Sequence, residues 1–286
     1  MRRALIALAI GGGIIALGLT WVAGSVLVAP ANRSVAIPED MPVEAASIAS
    51  ASGELATWVL PSDSARGVIV LMHGVRADRS SQVDRMRLFH EAGYHVVAFD
   101  FQSSGESPGE SITFGWRERD DAIAAVQFAR ERFPGVPLAI VGQSMGGAAA
   151  ILAGRQLNAD VLVVEAVYAS VERATRNRLE MRLGRLGEAL TPLLTAQLGP
   201  RLGVSADSLR PAVSVTRIQA PLFVLVGSQD AHAHPEEAQA IYDAAPNPKV
   251  LWVVEGAVHQ DLYRFSPEAY RQRVLEFLGE HLPVSE

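Results

Sequence analysis

Residues 137–153 constrain the fold more than any other stretch of the chain. Pro137-Leu-Ala-Ile-Val141 is a short apolar run of the kind that forms a buried strand. Ala148-Ala-Ala-Ile-Leu-Ala153 is built from strong helix formers. Between them stands Gly142-Gln143-Ser144-Met145-Gly146, a Gly-x-Ser-x-Gly sequence. Set between a strand and a helix, this pattern holds a serine on a sharp turn with its hydroxyl exposed. The two glycines let the turn tighten without side-chain clashes. Five residues of this kind match easily by chance, so the flanking strand and helix carry the argument. A helix that opens at Met145 leaves that residue's N–H without an intrahelical acceptor, close to the positive end of the helix. An oxyanion would be stabilised there.

The rest of the chain repeats strand and helix in alternation. Strands are expected at Val68–Met72, His95–Phe99, Leu138–Val141, Val161–Val164, Leu222–Val226 and Val250–Val254. Helices are expected near Ser81–Ala92, Arg117–Arg132, Met145–Leu157, Pro235–Ala245 and Pro267–His281. Val43 to Leu60 reads as an edge hairpin turning at Ser52-Gly53. Such alternation predicts an α/β protein, a mostly parallel sheet with helices on both faces. Ligands of such sheets bind beyond the carboxyl ends of the strands. One insertion, at about residues 170–219, is too long for a crossover helix. In it Leu179, Leu183, Leu186, Leu190 and Leu194 recur at helical spacing beside Arg178, Arg182 and Arg185. That stripe reads as an ordinary amphipathic helix, or as a cap over the site whose basic face meets anionic lipid or substrate.

Composition excludes several function classes. The net charge of −6 offers no global basic field to a nucleic acid. The absence of cysteine excludes thiol catalysis, disulfides and thiolate metal sites, and is compatible with an oxidising compartment. At the N-terminus Arg2 and Arg3 precede an uncharged stretch from Ala4 to Ala31. About 20 apolar residues span a bilayer, and this run is longer. Residues 1–31 are therefore expected to be a single-pass anchor, with the arginines cytoplasmic and the rest of the chain on the non-cytoplasmic side. Ala29-Pro30-Ala31 is similar to a signal cleavage site, so a chain secreted or left periplasmic after cleavage is the alternative. Residues 32–42, with Pro38 and Pro42, read as a linker, and 43–286 as one domain.

A serine nucleophile needs a base and a third group to orient that base. With Gly-x-Ser-x-Gly the chain order is serine, acid, histidine. Asp230 ends Gly227-Ser-Gln-Asp just after the strand at 222–226, and is the expected acid. Glu165 is the fallback, judged on its rim position, and Asp261 lies off a strand end. His259 ends Gly256-Ala-Val-His after the last expected strand and is the expected base. His232 and His234 form a His-x-His beside Asp230, but no second ligand cluster stands at suitable spacing, and no metal is expected. Oxyanion donors are expected from the N–H groups of Met145 and of Val75, in the loop His73-Gly74-Val75. His73 precedes the serine, so it is expected to shape that loop rather than to act as a base.

With these residues in place the sequence resembles the α/β-hydrolases, and most of all the serine-aminopeptidase-like and monoglyceride-lipase-like branch. The resemblance runs from about residue 43 to 283 and rests on His73-Gly74, Gly142-Gln-Ser-Met-Gly-Gly147, Gly227-Ser-Gln-Asp230 and Gly256-Ala-Val-His259. It implies an eight-stranded α/β-hydrolase fold with a small helical cap. It also implies Ser144 as nucleophile, His259 as base, Asp230 as acid, and Val75 and Met145 as oxyanion donors. Many relatives carry Asp-x-Arg-Gly-x-Gly-x-Ser after the fourth strand. Here Asp100-Phe-Gln102-Ser103-Ser-Gly105-Glu-Ser107 puts Gln102 and Ser103 where Arg and Gly stand, which questions the bracing of that loop. The expected activity is hydrolysis of a small-molecule or lipid-like carboxylic ester, or of an amide, without a cofactor. Acyl transfer, haloperoxidase chemistry and a non-catalytic binding role are the alternatives on the same fold.

Overall fold

Period-two alternation within single strands explains how the sheet acquires two buried faces. Val68, Val70 and Met72 pack into one apolar cluster, and the intervening Ile69 and Leu71 into the other. Leu162 and Val164 divide from Val161 and Val163 in the same way. The computed structural model describes residues 2–63 and 65–283. The outermost residues of the expected anchor and domain, Met1 and 284–286, lie outside that set, as do the side chains of Arg2 and Arg3.

The strands are β1 Glu44–Ser50, β2 Gly53–Leu60, β3 Val68–Met72, β4 His95–Phe99, β5 Leu138–Gln143, β6 Val161–Glu165, β7 Leu222–Gly227 and β8 Lys249–Val254. They form one eight-stranded sheet in the order β8-β7-β6-β5-β3-β4-β2-β1. The pairs from β8 across to β4 are parallel, and β2 and β1 join antiparallel. The helices are α1 Arg2–Val28, α2 Val83–Glu91, α3 Glu118–Arg132, α4 Met145–Ala153, α5 Val171–Leu183, α6 Arg185–Thr195, α7 Leu198–Leu202, α8 Pro211–Ser214, α9 Pro235–Ala244, α10 Leu262–Phe265 and α11 Pro267–His281. Residues of α3, α4 and α9 fill one face of the sheet; those of α2 and α11 fill the other. Helices α5 to α8 form the cap between β6 and β7.

Most expected elements appear within a residue or two, and the differences have local causes. The helix expected near Ser81 begins with a 3-10 turn, Arg79–Gln82, because Asp78 accepts the Ser80 N–H and caps it. The helix from Met145 ends at Ala153, where Gly154 (φ 59°) turns it into a 3-10 segment. The leucine stripe of the cap is split between two helices, since Gly184 adopts φ 55° between α5 and α6. Leu183 and Leu186 consequently lie exposed at the corner, whereas Leu194 is buried.

The segment read as a linker is docked at its start. Ala31-Asn32 pairs in parallel with Ser104-Gly105, Arg33 pairs with Asp78, and Val35 is buried. Helix α1 leads into it. Its window Gly11–Val28 is long and apolar enough to cross a membrane, and little of it is buried. Its last turns rest on the cap: Arg201 of α7 donates to the Trp21 carbonyl and to Ser25 Oγ, and its guanidinium lies 3.8 Å from the Trp21 ring.

Candidate active site

Register places the site. Parallel pairing puts the carboxyl ends of β3, β5, β6, β7 and β8 on one rim. The chain order reverses between β3 and β5, the position at which such sheets open a crevice.

Ser144 follows β5 directly at φ 51° and ψ −111°, a conformation that costs about 1–3 kcal/mol and persists only when its surroundings enforce it. The Ser144 N–H donates to the Glu165 carbonyl at 2.7 Å, which holds the turn from below. Close packing dictates the flanking glycines. A Cβ on Gly146 would lie 2.4 Å from the Met72 carbonyl oxygen, and one on Gly142 would lie 2.7 Å from the Gly147 Cα. Both contacts are with backbone, which cannot swing aside as a flexible side chain could.

The loop after β3 runs beside the elbow: a Cβ on Gly74 would stand 3.6 Å from the Ser144 Cβ. His73 is fully buried beneath it, and burial holds its pKa below the ordinary histidine value. The Phe101 N–H donates to its Nε2 at 3.0 Å, so Nδ1 carries the proton and donates to the Gly74 carbonyl at 2.8 Å. Both ring nitrogens are therefore occupied in shaping this loop. Among the described residues the N–H groups of Val75 and Met145 have no protein acceptor. Two donors thus remain available beside the Ser144 side chain.

Asp230 and His259 meet because two loops are stitched together. Ser228 N–H donates to the Val254 carbonyl at 2.9 Å, Gln229 N–H to the Ala257 carbonyl at 2.9 Å, and Gly256 N–H to Ser228 Oγ at 2.8 Å. Gly227 permits the approach, since a Cβ there would lie 2.2 Å from the Ala257 oxygen. His259 Nδ1 then donates to Asp230 Oδ2 at 2.8 Å. Asp230 Oδ1 accepts the N–H groups of His232 and Ala233 at 2.8 and 2.9 Å, bonds that fix the carboxylate's orientation. The Asp230 side chain is fully buried, while 22% of the His259 side chain is exposed. The structure thus brings the expected acid to the expected base. Among the described residues no hydrogen bond joins the Ser144 hydroxyl to His259.

The other candidates are committed elsewhere. Glu165 receives Arg85 at 2.6 Å and the Tyr270 hydroxyl, deep under the elbow. Asp261 pairs with Arg85 at 2.8 Å and caps α10. His234 caps α9. The His232 ring centre lies 4.8 Å from that of His259. Asp230, His232 and His259 present ligand atoms within 4.8 Å of one another, a donor set that could hold a metal ion. In such a complex the ion would compete with the Asp230–His259 hydrogen bond.

Arg79 carried no motif signal, yet it braces the loop that departs from the relatives' pattern. Its guanidinium pairs with Asp100 and Glu106, and its N–H donates to Asp100 Oδ1 at 2.7 Å. Ser103 stands at φ 59°, where the pattern has glycine, and Gln102 Nε2 reaches the Ser111 carbonyl and Glu118. Only the folded chain reveals this bracing by Arg79.

Comparison with known proteins agrees with this architecture. The family model described as serine aminopeptidase, S33, matches residues 63–208, just over half of the chain. YqkD of Bacillus subtilis, described as uncharacterized, is 26% identical over 224 residues, 77% of this chain and 73% of its own length. The lysophosphatidylserine lipase ABHD12 of Danio rerio is 28% identical over 207 residues, 68% of this chain and 52% of that protein. Among solved structures, the esterase Pf2001 of Pyrococcus furiosus superposes with a TM-score of 0.73 at 22% identity, covering 90% of this chain and 99% of that one. A Xanthomonas campestris α/β serine hydrolase described as lacking a lid, XC6422, gives 0.60 at 19% identity, covering 88% of this chain and 100% of its own. The two structural matches speak for the fold, and the family match for membership. The chain belongs to the serine aminopeptidase S33 family of α/β-hydrolases.

Proposed function

We propose that the protein is a membrane-anchored serine hydrolase that cleaves a carboxylic ester through Ser144, His259 and Asp230. One observation carries this reading: the His259 Nδ1–Asp230 Oδ2 hydrogen bond on the rim where the Ser144 elbow ends. With Nδ1 bound to Asp230, Nε2 is the atom left to take a proton. Ser144 Oγ attacks the ester carbonyl as its proton passes to His259 Nε2. The tetrahedral oxyanion is held by the N–H groups of Val75 and Met145. Its collapse breaks the carbon–oxygen bond to the alcohol, and the imidazolium returns its proton to the leaving oxygen. Water then attacks the acyl carbon and yields a proton to Nε2. The second collapse releases the acid and restores the serine hydroxyl. Asp230 orients the imidazole throughout and is itself held by two backbone N–H groups.

The esterase and lipase named among the similar proteins support an ester over an amide. Helix α1 supports an uncleaved anchor, because Arg201 and the pairing of Ala31-Asn32 tie it to the catalytic domain. With Arg2 and Arg3 at its cytoplasmic end, this anchor would carry the domain on the non-cytoplasmic side. The full-length protein should be labelled by a fluorophosphonate at Ser144 and should turn over short-chain esters. Ser144→Ala should abolish both, with a loss in kcat of about 10⁶-fold. A folded wild type that neither labels nor hydrolyses any ester would leave the non-catalytic role as the better reading. Carbonate-washed membranes should retain the chain.

A further inference from the structure

The cap carries a cation next to its own contact with the triad loop. Helix α5 is tied to the triad loop: Asn177 Nδ2 donates to the His232 carbonyl at 3.1 Å and to Glu237 Oε1 at 2.5 Å. The next residue is Arg178. Its Nη1 donates to the Ala174 carbonyl at 3.0 Å, one turn back on its own helix. Among the described residues no carboxylate pairs with it, although it is half-buried. The two fully buried arginines behave differently, since Arg79 and Arg85 each hold two carboxylates.

The acidic groups that feel the Arg178 charge are already engaged. Asp230 holds His259 and two N–H groups. Glu237 holds Asn177 and the N–H groups of His234 and Ala169. Burial draws Arg178 below the ordinary arginine value, and the nearby phenol of Tyr168, Asp230 and Glu237 oppose that shift. Arg182 stands four residues on, on the same face. Burial, His259, Arg178 and Arg182 together lower the pKa of His232. A half-buried guanidinium with most of its donors free of protein partners can offer them to an anion.

We propose that Arg178, with Arg182 and His232, forms a subsite for an anionic group on the alcohol portion of the ester substrate. This rests on the serine-hydrolase reading given above. The side of the ester follows from the chemistry. The leaving oxygen receives its proton from His259, so the departing alcohol lies on the histidine side of Ser144. The His232 ring flanks His259, and α5 is bonded to the His232 carbonyl. A phosphate or carboxylate a few bonds from the ester oxygen would meet the guanidinium there, where a bidentate contact is strong.

The test compares four esters with ten-carbon acyl chains, three of them decanoyl, on the full-length protein in detergent. Their alcohols are glycerol, glycerol 3-phosphate and glyceric acid; the fourth, a decanedioyl half-ester of glycerol, carries its carboxylate on the acyl side. The wild type should favour the two alcohol-side anions over the neutral ester by tenfold or more in kcat/KM, mainly through KM. It should not favour the acyl-side anion. Arg178→Gln should bring the ratio close to one, Arg178→Lys should restore part of it, and Arg173→Gln, on another face of α5, should leave it intact. An equal loss on charged and neutral esters, or a wild-type preference for the acyl-side anion, would overturn the subsite. So would inorganic phosphate altering neutral-ester kinetics through Arg178 without any preference for charged substrates, since a free anion would then be the ligand. If the catalytic reading itself is at fault, no ester is turned over and Ser144 stays unlabelled.

Discussion

The rim of the sheet and the outer corner of the cap are built in opposite ways. On the rim, backbone meets backbone at distances that tolerate no side chain, as at Gly142, Gly146 and Gly227. Each candidate catalytic group stands on a loop whose N–H and carbonyl groups are bound to its neighbours. The cap meets the triad loop through Asn177 and helix α1 through Arg201, and it packs an apolar cluster of its own, with Met181, Leu183 and Leu186 exposed at its corner. The lesson is a division of labour. The rim has the rigidity that oxyanion stabilisation demands, because preorganised donors avoid reorganisation during the reaction. The cap's corner at Gly184 is under no such constraint, since a Cβ there would meet nothing within 4 Å.

Four substitutions test that contrast. The largest effect should come from Asp230→Asn, which keeps the shape but disturbs the imidazole tautomer; kcat should fall about 10⁴-fold while the melting temperature stays close to wild type. Near-normal turnover would transfer the orienting role to another group. Next is Gly146→Ala. Its Cβ would press on the Met72 and His73 carbonyls, and thermal unfolding should show a loss of about 3 kcal/mol. An unperturbed melting curve would mean that the rim is more pliable than its spacing implies.

Asn177→Ala should cost about 1–2 kcal/mol, since Glu237 and the His232 carbonyl each lose a donor. Its signature should be a raised KM with little change in kcat, read from steady-state kinetics on a charged ester. A fall confined to kcat would place Asn177 with the rim instead.

The smallest effect concerns pH. Asp121 on α3 accepts from Ser50, Ser52 and the Gln102 N–H, yet burial raises its pKa from 3.8 to about 6. The folded chain therefore binds this proton more tightly than the unfolded chain. The stabilisation is complete below the unfolded value and disappears as pH rises through about 6. Relative to Asp121→Asn, the wild type should lose about 1–2 kcal/mol between pH 4 and pH 7, measured by denaturant unfolding. A pH-independent difference would show that the carboxyl titrates alike in both states.

Much of this molecule was legible from spacing. The alternating apolar runs define the strands, because a buried strand needs an uninterrupted apolar stretch of that length whatever its neighbours are. Gly142-Gln-Ser-Met-Gly146 located the elbow, since steric limits on backbone approach act within a few residues. Asp230 and His259 were readable as positions just past strand ends. Their 2.8 Å contact was not, because it depends on β7 and β8 being neighbours and on two loops sharing hydrogen bonds. The bracing by Arg79, the removal of Glu165 from contention by Arg85 and Tyr270, and the docking of residues 31–35 were equally invisible. Those partners lie tens of residues apart, and no local pattern encodes them. Arg178 shows the boundary most clearly. The sequence revealed a basic stripe on a helix; only the tertiary structure distinguished the arginine beside the triad loop from those facing water, because burial and the lack of a partner are properties of the folded chain.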